Sequence, residues 1–364
     1  MAYSDTELTE IDRPTPQIDD PEAVRVAMQH WLGDVLGTQT VEVSPVTVPD
    51  GNGMSNITLL FDIRYEINGT QEQRSIVGRL QAGGDKLVFP SYNLSLQYDF
   101  MRYLEGFSQV PSPVLLAEEP TGTVLGTPFY LMERTEGRVP TDAPAYHRDG
   151  WMVGLSADDQ RNMWCNGIDA MAELHKLDTT SAEAQALTKA HHIPASLPEQ
   201  LQYWEDYRHW TFGEDPGNAA CDQALAWLKT HQPEAQTIAF CWGDSRMPNV
   251  MFNNHETAVA ALLDWEMLTL GDPLQDLAWW VYLDELFSVG MDTPRLPGLP
   301  DRMETAAQWS QKTGLSTAHL DYYIIYAGLR FGLIFSRIMR NMGAADAALE
   351  NFASQYLEKQ MQAL

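Results

Sequence analysis

Asp244, Arg246 and Asn249 fall within the stretch Phe240-Cys241-Trp242-Gly243-Asp244-Ser245-Arg246-Met247-Pro248-Asn249-Val250-Met251-Phe252, and Asp264 follows in Leu262-Leu263-Asp264-Trp265-Glu266. Phosphoryl transfer needs a group to receive or orient the proton of an incoming hydroxyl, a cation beside the phosphate oxygens, and hard oxygen ligands for magnesium. The pattern supplies all three. It assigns Asp244 as the base or orienting group, puts Arg246 near the transferred phosphoryl group, and gives the metal to Asn249 and Asp264. Magnesium suits that pair, because it takes a few protein oxygens and completes its octahedron with water and nucleotide phosphates. The plain alternative is an Asx-turn loop followed by an unrelated strand-end carboxylate, and the three-part spacing argues against it.

Such a set must be positioned by strands on either side of the loop. One strand should end near Trp242 and the next begin near Val250, so that Asp244 and Asn249 turn toward one point; a hairpin then returns Asp264 beside them. The reading requires these three side chains to converge on one cation in a cleft between two lobes. Around this short β cluster, between Thr237 and Leu263, the chain reads as helical from Asp158 onward, with Met163, Trp164, Ile168, Met171, Leu174 and Leu177 on one face. The first third reads differently. A helix over 21–36 precedes strand patterns over 41–48, 57–67 and 73–80, a helix over 94–106, and strands over 114–117 and 128–132. The fold class expected is therefore α+β: a polar leader over 1–20, a small β-rich lobe over 21–134, and a larger helical lobe over 135–364 carrying the catalytic loop, the metal site and the acceptor site.

The motifs Trp242-Gly243-Asp244, Asp264-Trp265-Glu266, Gly271-Asp272-Pro273 and Asp276-Leu277-Ala278 resemble those of the aminoglycoside phosphotransferase and choline kinase group, and within it the branch associated with acyl-CoA dehydrogenases. The resemblance runs from about residue 25 to the end and implies a bilobal protein-kinase-like fold using ATP or GTP. It also implies a nucleotide site in the first lobe. Gly51-Asn52-Gly53-Met54-Ser55-Asn56 resembles the turn that covers the phosphates, with Gly53, Met54, Ser55 and Asn56 as contacts, although an ordinary hairpin turn accounts for it equally well. Arg79 stands where the fold usually carries a phosphate-binding lysine, and neutral Gln97 where that lysine's glutamate partner is expected. Glu133, in Phe129-Tyr130-Leu131-Met132-Glu133-Arg134, falls in the strand and linker that hold the adenine. By the same resemblance Asp276 braces the catalytic loop and Trp242 packs beneath it. From the residues themselves, His175 reads as a core histidine satisfied by a hydrogen bond, and Asp272-Pro273 as a helix start.

Composition excludes several other classes. With 50 Asp and Glu against 23 Lys and Arg in 364 residues, the net charge is −27, and no basic stripe exists to displace counterions from a nucleic acid. The N-terminal residues lack the apolar core of a secretory signal, which points to the cytoplasm and removes any use for the acceptor-like tripeptides at Asn56, Asn68 and Asn93. Three cysteines fit a reducing compartment. The most apolar stretch, 322–335, is shorter than the roughly 20 residues of a membrane span and carries Arg330. The expected partner is a small-molecule hydroxyl acceptor, a hydroxylated acyl compound by resemblance, with Tyr203 to Trp210 and the 321–340 helix lining its side or simply packing the core. A nucleotide-binding regulatory protein and a metal-dependent hydrolase are the competing classes.

Overall fold

The computed structural model describes residues 20–49, 56–84, 86–234 and 237–364. These sort into two compact units. One comprises the described residues of 12–106 together with Ser112–Thr135, the other Phe107–Pro111 with Glu136–Leu364. Phe107–Pro111 goes with the helical unit although the sequence reading placed it before the boundary, and Pro111 shows why: its carbonyl accepts from the N–H of Leu262 at 2.8 Å.

In the strand-rich unit, α1 (Pro21–Leu36) starts where the Asp20 carboxylate accepts from the Ala23 N–H, with proline at its first position, and stops at Gly37, whose φ of 65° is left-handed. The strands β1 (Glu42–Val43), β2 (Asn56–Ile67), β3 (Thr70–Gln81), β4 (Leu115–Glu119) and β5 (Phe129–Glu133) form one antiparallel sheet in the order β1-β2-β3-β5-β4. The alternation of Ile57, Leu59, Phe61, Ile63 and Tyr65 puts one face of β2 inward, where it packs with Ile76, Leu131 and Phe129 against Met28 and Leu32 of α1. The strand expected over 41–48 is shorter than its pattern. Only Glu42 and Val43 pair as a strand, with a further isolated bridge from Thr47 to Leu60. β1 and β2, which flank the glycine-rich stretch, do pair antiparallel, and a longer hairpin is β2–β3, closed at Asn68-Gly69 with φ of 52° and 78°, the two left-handed positions of a tight hairpin turn. Helix α2 (Leu94–Phe107) follows β3 in the chain.

The helical unit contains α3 (Ala157–His175), α4 (Ala182–His191), α5 (Leu197–Phe212), α6 (Ala219–Thr230), α7 (Leu274–Leu286), α8 (Arg302–Thr313), α9 (Leu320–Asn341), α10 (Ala345–Leu349) and α11 (Phe352–Gln362). Two short antiparallel pairs interrupt the helices: β6 (Ala239–Cys241) with β9 (Thr269–Gly271), and β7 (Val250–Phe252) with β8 (Val259–Leu262). Helix α9 is largely buried and packs on α5, α6, α7, α10 and α11. Its glycines permit this closeness. A Cβ at Gly328 would lie 2.6 Å from Leu357, and one at Gly332 2.6 Å from the Cys221 sulfur. Among the described residues no helix is long and apolar enough to cross a membrane.

Candidate active site

The loop between β6 and β7, residues 242–249, is fixed from behind by its own helical unit. Asp276, in the first turn of α7, accepts from the backbone N–H of Trp242 at 2.6 Å and of Gly243 at 2.9 Å, and its carbonyl accepts from the Ser245 hydroxyl at 2.8 Å. Gly243 has φ of 90°, and a Cβ there would stand 2.0 Å from the Met267 carbonyl oxygen, so no side chain fits. The Gly243 carbonyl in turn accepts from Nη2 of Arg330 in α9 at 2.7 Å. The backbone entering Asp244 is therefore held at both the N–H and the carbonyl of Gly243.

The Asp244 carboxylate meets three donors. Oδ1 accepts from the Trp279 indole N–H at 2.8 Å, while Oδ2 accepts from Asn249 Nδ2 at 2.7 Å and from Arg246 Nε at 3.1 Å. Arg246 reaches onward, and its Nη1 lies 2.5 Å from Asp142 Oδ1. Burial works against the guanidinium charge, but the carboxylates of Asp142 and Asp244 outweigh it and hold the arginine above its ordinary pKa. Such a site offers an oriented, acceptor-only carboxylate beside a permanently charged fork.

Asn249 and Asp264 come together through the backbone. The Leu263 N–H donates to the Asn249 carbonyl at 2.9 Å, and the Trp242 indole donates to the Leu263 carbonyl at 2.8 Å. Asp264 follows with φ of 63°, left-handed for a residue with a side chain, a conformation that costs about 1 kcal/mol or more and clusters at functional sites. Since Asn249 Nδ2 is committed to Asp244, its Oδ1 is turned away from that carboxylate. Among the described residues no three His, Cys, Asp or Glu side chains cluster as a ready metal site. The amide oxygen of Asn249 with the Asp264 carboxylate is a sparse, hard donor set, which fits magnesium shared with phosphates rather than a metal caged by protein alone.

Neighbouring residues fall into support. His175 is buried between Asp276 and Trp309, Trp242 is buried with its ring 5.7 Å from that of Trp265, and Asp272 Oδ1 accepts from the Leu274 N–H at the start of α7. Most of the aromatic run in α5 is core: Trp204 and Tyr207 are buried, while Tyr203 is exposed. Sequence reasoning missed Asp142, Trp279 and Arg330. Only Arg330 left a signal, a charge inside the chain's most apolar stretch. A pocket also opens beside Arg246, walled by Asp142, Tyr146, Met247, Trp280, Asp284 and Phe287.

In the strand-rich unit, Gly53, Met54 and Ser55 lie outside the described residues. Asn56 is buried at the start of β2 and pairs with Gln81. Arg79 donates through Nη1 to the Thr58 hydroxyl at 2.9 Å, and Gln97 accepts from the Tyr130 hydroxyl at 3.3 Å. Glu133 pairs with Arg74 at 2.9 Å, and its backbone N–H is taken by the Val114 carbonyl.

The profile of the phosphotransferase enzyme family matches residues 88–302. A curated relative, acyl-CoA dehydrogenase family member 10 of Mus musculus, is 24% identical over 88% of this chain, and the chain spans only 29% of that relative's length. Among solved structures, a protein from Ralstonia eutropha described as a putative aminoglycoside phosphotransferase superposes with a TM-score of 0.66 at 22% identity, covering 92% of this chain and 98% of the other. A thermostable mutant of aminoglycoside phosphotransferase APH(4)-Ia, in ternary complex with AMP-PNP and hygromycin B, gives 0.56 at 16% identity over 93% and 98%. At these identities the structural likeness fixes the fold, a kinase-like mixed α+β architecture.

Proposed function

The chain belongs to the phosphotransferase enzyme family, and from that premise we propose that it moves the γ-phosphate of ATP or GTP onto a hydroxyl of a small molecule. The observation that carries this reading is the three-donor cradle of Asp244, which leaves a carboxylate locked in direction and chemically limited to accepting. Asp244 orients the acceptor hydroxyl and takes its proton as the new oxygen–phosphorus bond forms and the β–γ bridging bond breaks, with the electron pair leaving on the nucleoside diphosphate. Arg246 sets positive charge beside the transferred group. Asn249 and Asp264 would hold magnesium, which when bound neutralises phosphate oxygens. In the other unit, Asn56 at the start of β2, Arg79 on β3 and Glu133 at the end of β5 are the described residues assigned to the nucleotide.

A hydroxylated acyl compound is the acceptor we favour, because relatives of this chain carry the names of acyl-CoA dehydrogenase family members. Neutral Gln97, bonded to Tyr130 rather than forming an ion pair, keeps a nucleotide-binding regulatory role as the second reading. One experiment separates them: the purified chain with magnesium and either nucleotide is offered a panel of hydroxylated metabolites while nucleotide binding is titrated in parallel. Phosphorylated product supports the enzyme. Binding without transfer to any member supports the regulator, and product released without nucleotide supports a hydrolase.

A further inference from the structure

Arg330 is 2% exposed in the interior of α9, and among the described residues its hydrogen bond goes to a backbone carbonyl rather than to a carboxylate. A guanidinium in that position carries a large desolvation cost unless something compensates. The compensation is aromatic: its carbon sits 4.4 Å from the Trp279 ring centroid, 5.4 Å from that of Tyr326 and 5.7 Å from that of Trp204. Nη2 donates to the Gly243 carbonyl at 2.7 Å, while Nε and Nη1 have no hydrogen-bond partner among the described residues. A charge kept for stability alone is a poor bargain here, since an apolar side chain of similar volume would pack among three rings without it.

Both of its well-formed contacts lead to one place. Gly243 is the residue before Asp244, and the Trp279 indole N–H donates to Asp244 Oδ1 at 2.8 Å. Indole N–H is that ring's only donor, so its direction is fixed once the ring plane is fixed. A cation over the ring face holds the plane, and it also polarises the ring so that its N–H is a stronger donor to a carboxylate. The geometry points to Arg330 as a positioning residue, which sets the backbone entering Asp244 through Gly243 and the carboxylate through Trp279. The effect on rate rests on the phosphotransfer reading above; the coupling of Arg330 to Asp244 does not.

The test therefore has one arm without turnover. In the 15N-labelled chain, the Trp279 indole resonance is identified by its loss in Trp279→Phe. Asp244→Asn and Arg330→Met are each expected to move it upfield, with Arg330→Lys intermediate. In the turnover arm, Arg330→Met lowers kcat about 100-fold, as misplacement near 1 Å does, with the nucleotide KM unchanged. Arg330→Lys recovers part of this, and adding Trp279→Phe to it costs less than the sum of the two. An indole resonance indifferent to Arg330→Met overturns the proposal. So does a fall in kcat tracked by nucleotide KM, or failure of both Arg330 variants to fold, either of which makes Arg330 a stability residue. If the wild-type chain phosphorylates no hydroxyl compound while the resonance responds as expected, the phosphotransfer reading falls and the coupling stands.

Discussion

His175 Nε2 lies 3.0 Å from Asp276 Oδ2, with both side chains fully removed from solvent. The direction of this bond follows from the other ring nitrogen. Nδ1 accepts from the Trp309 indole at 2.9 Å, and indole can only donate, so the hydrogen resides on Nε2 and is donated to Asp276. Asp276 thus accepts from His175, Trp242 and Gly243 together, and its two oxygens have lone pairs for all three.

Asp276→Asn turns an amide group toward at least one of those donors. The variant should lose about 3 kcal/mol of stability, as expected when one member of a buried charged network is removed, and its transfer activity should fall with the loop's order. Urea melts and initial rates on the same preparations check both. Native-like stability together with full activity would remove Asp276 from the loop's support.

Asp244→Ala and Asp264→Ala should separate chemistry from nucleotide binding. The first is expected to abolish transfer with nucleotide affinity largely kept, and the second also to weaken magnesium-dependent nucleotide binding. Calorimetric titration with and without magnesium, beside initial rates, tells them apart. Full activity in both variants would refute the assignment.

Gly243→Ala tests the turn itself. The new methyl meets the Met267 carbonyl at 2.0 Å in a backbone already at φ of 90°, so the loop must move. We expect a loss of more than about 2 kcal/mol, the scale of a forced left-handed residue with overpacking, and loss of transfer at temperatures where the chain is still folded. Thermal melts followed by near-ultraviolet circular dichroism give the first quantity and rates below the transition the second.

The wall of the pocket beside Arg246 predicts a pH effect. Burial alone would raise the Asp284 pKa, but the imidazole of His147, with Nε2 3.1 Å from Oδ1, together with the charge of Arg295 and the Tyr146 hydroxyl, holds it below the usual carboxylate range. A lowered native pKa means the stabilisation is complete above the unfolded value, about 3.9, and is lost as pH falls toward the native one. Asp284→Asn should therefore be less stable by about 3 kcal/mol near neutrality, with the gap narrowing below about pH 4. Denaturant midpoints for both proteins at neutral and acid pH measure it, and a gap independent of pH would show that the charge of Asp284 is not involved.

The α+β class, the extent of α1 and the β7–β8 hairpin beside the loop were legible in the sequence, because period 2, period 3.6 and capping residues are local properties, whereas β9, the partner of β6, lies beyond the 237–263 cluster that the pattern marked. Asn68-Gly69 carries a strong hairpin signal that the sequence reading passed over, while the strands flanking the glycine-rich stretch at 49–53 do pair as read. The 41–48 pattern overstated its strand because alternation records which residues can face a core, while pairing depends on what lies alongside.

The chain's own order of residues determined that Asp244, Arg246, Asn249 and Asp264 belong to one loop and the hairpin beside it, for their spacing is short enough to be set by the local backbone. Only the tertiary structure decided what holds them. Asp142, Asp276, Trp279 and Arg330 arrive from about 30 to 100 residues away in sequence, and no local periodicity distinguishes a tryptophan that packs from one whose N–H meets a carboxylate. The contacts of Asp276, Trp279 and Arg330 exist because α7 and α9 bury their apolar faces against each other, and that burial carries these few polar groups to the place where the loop meets them.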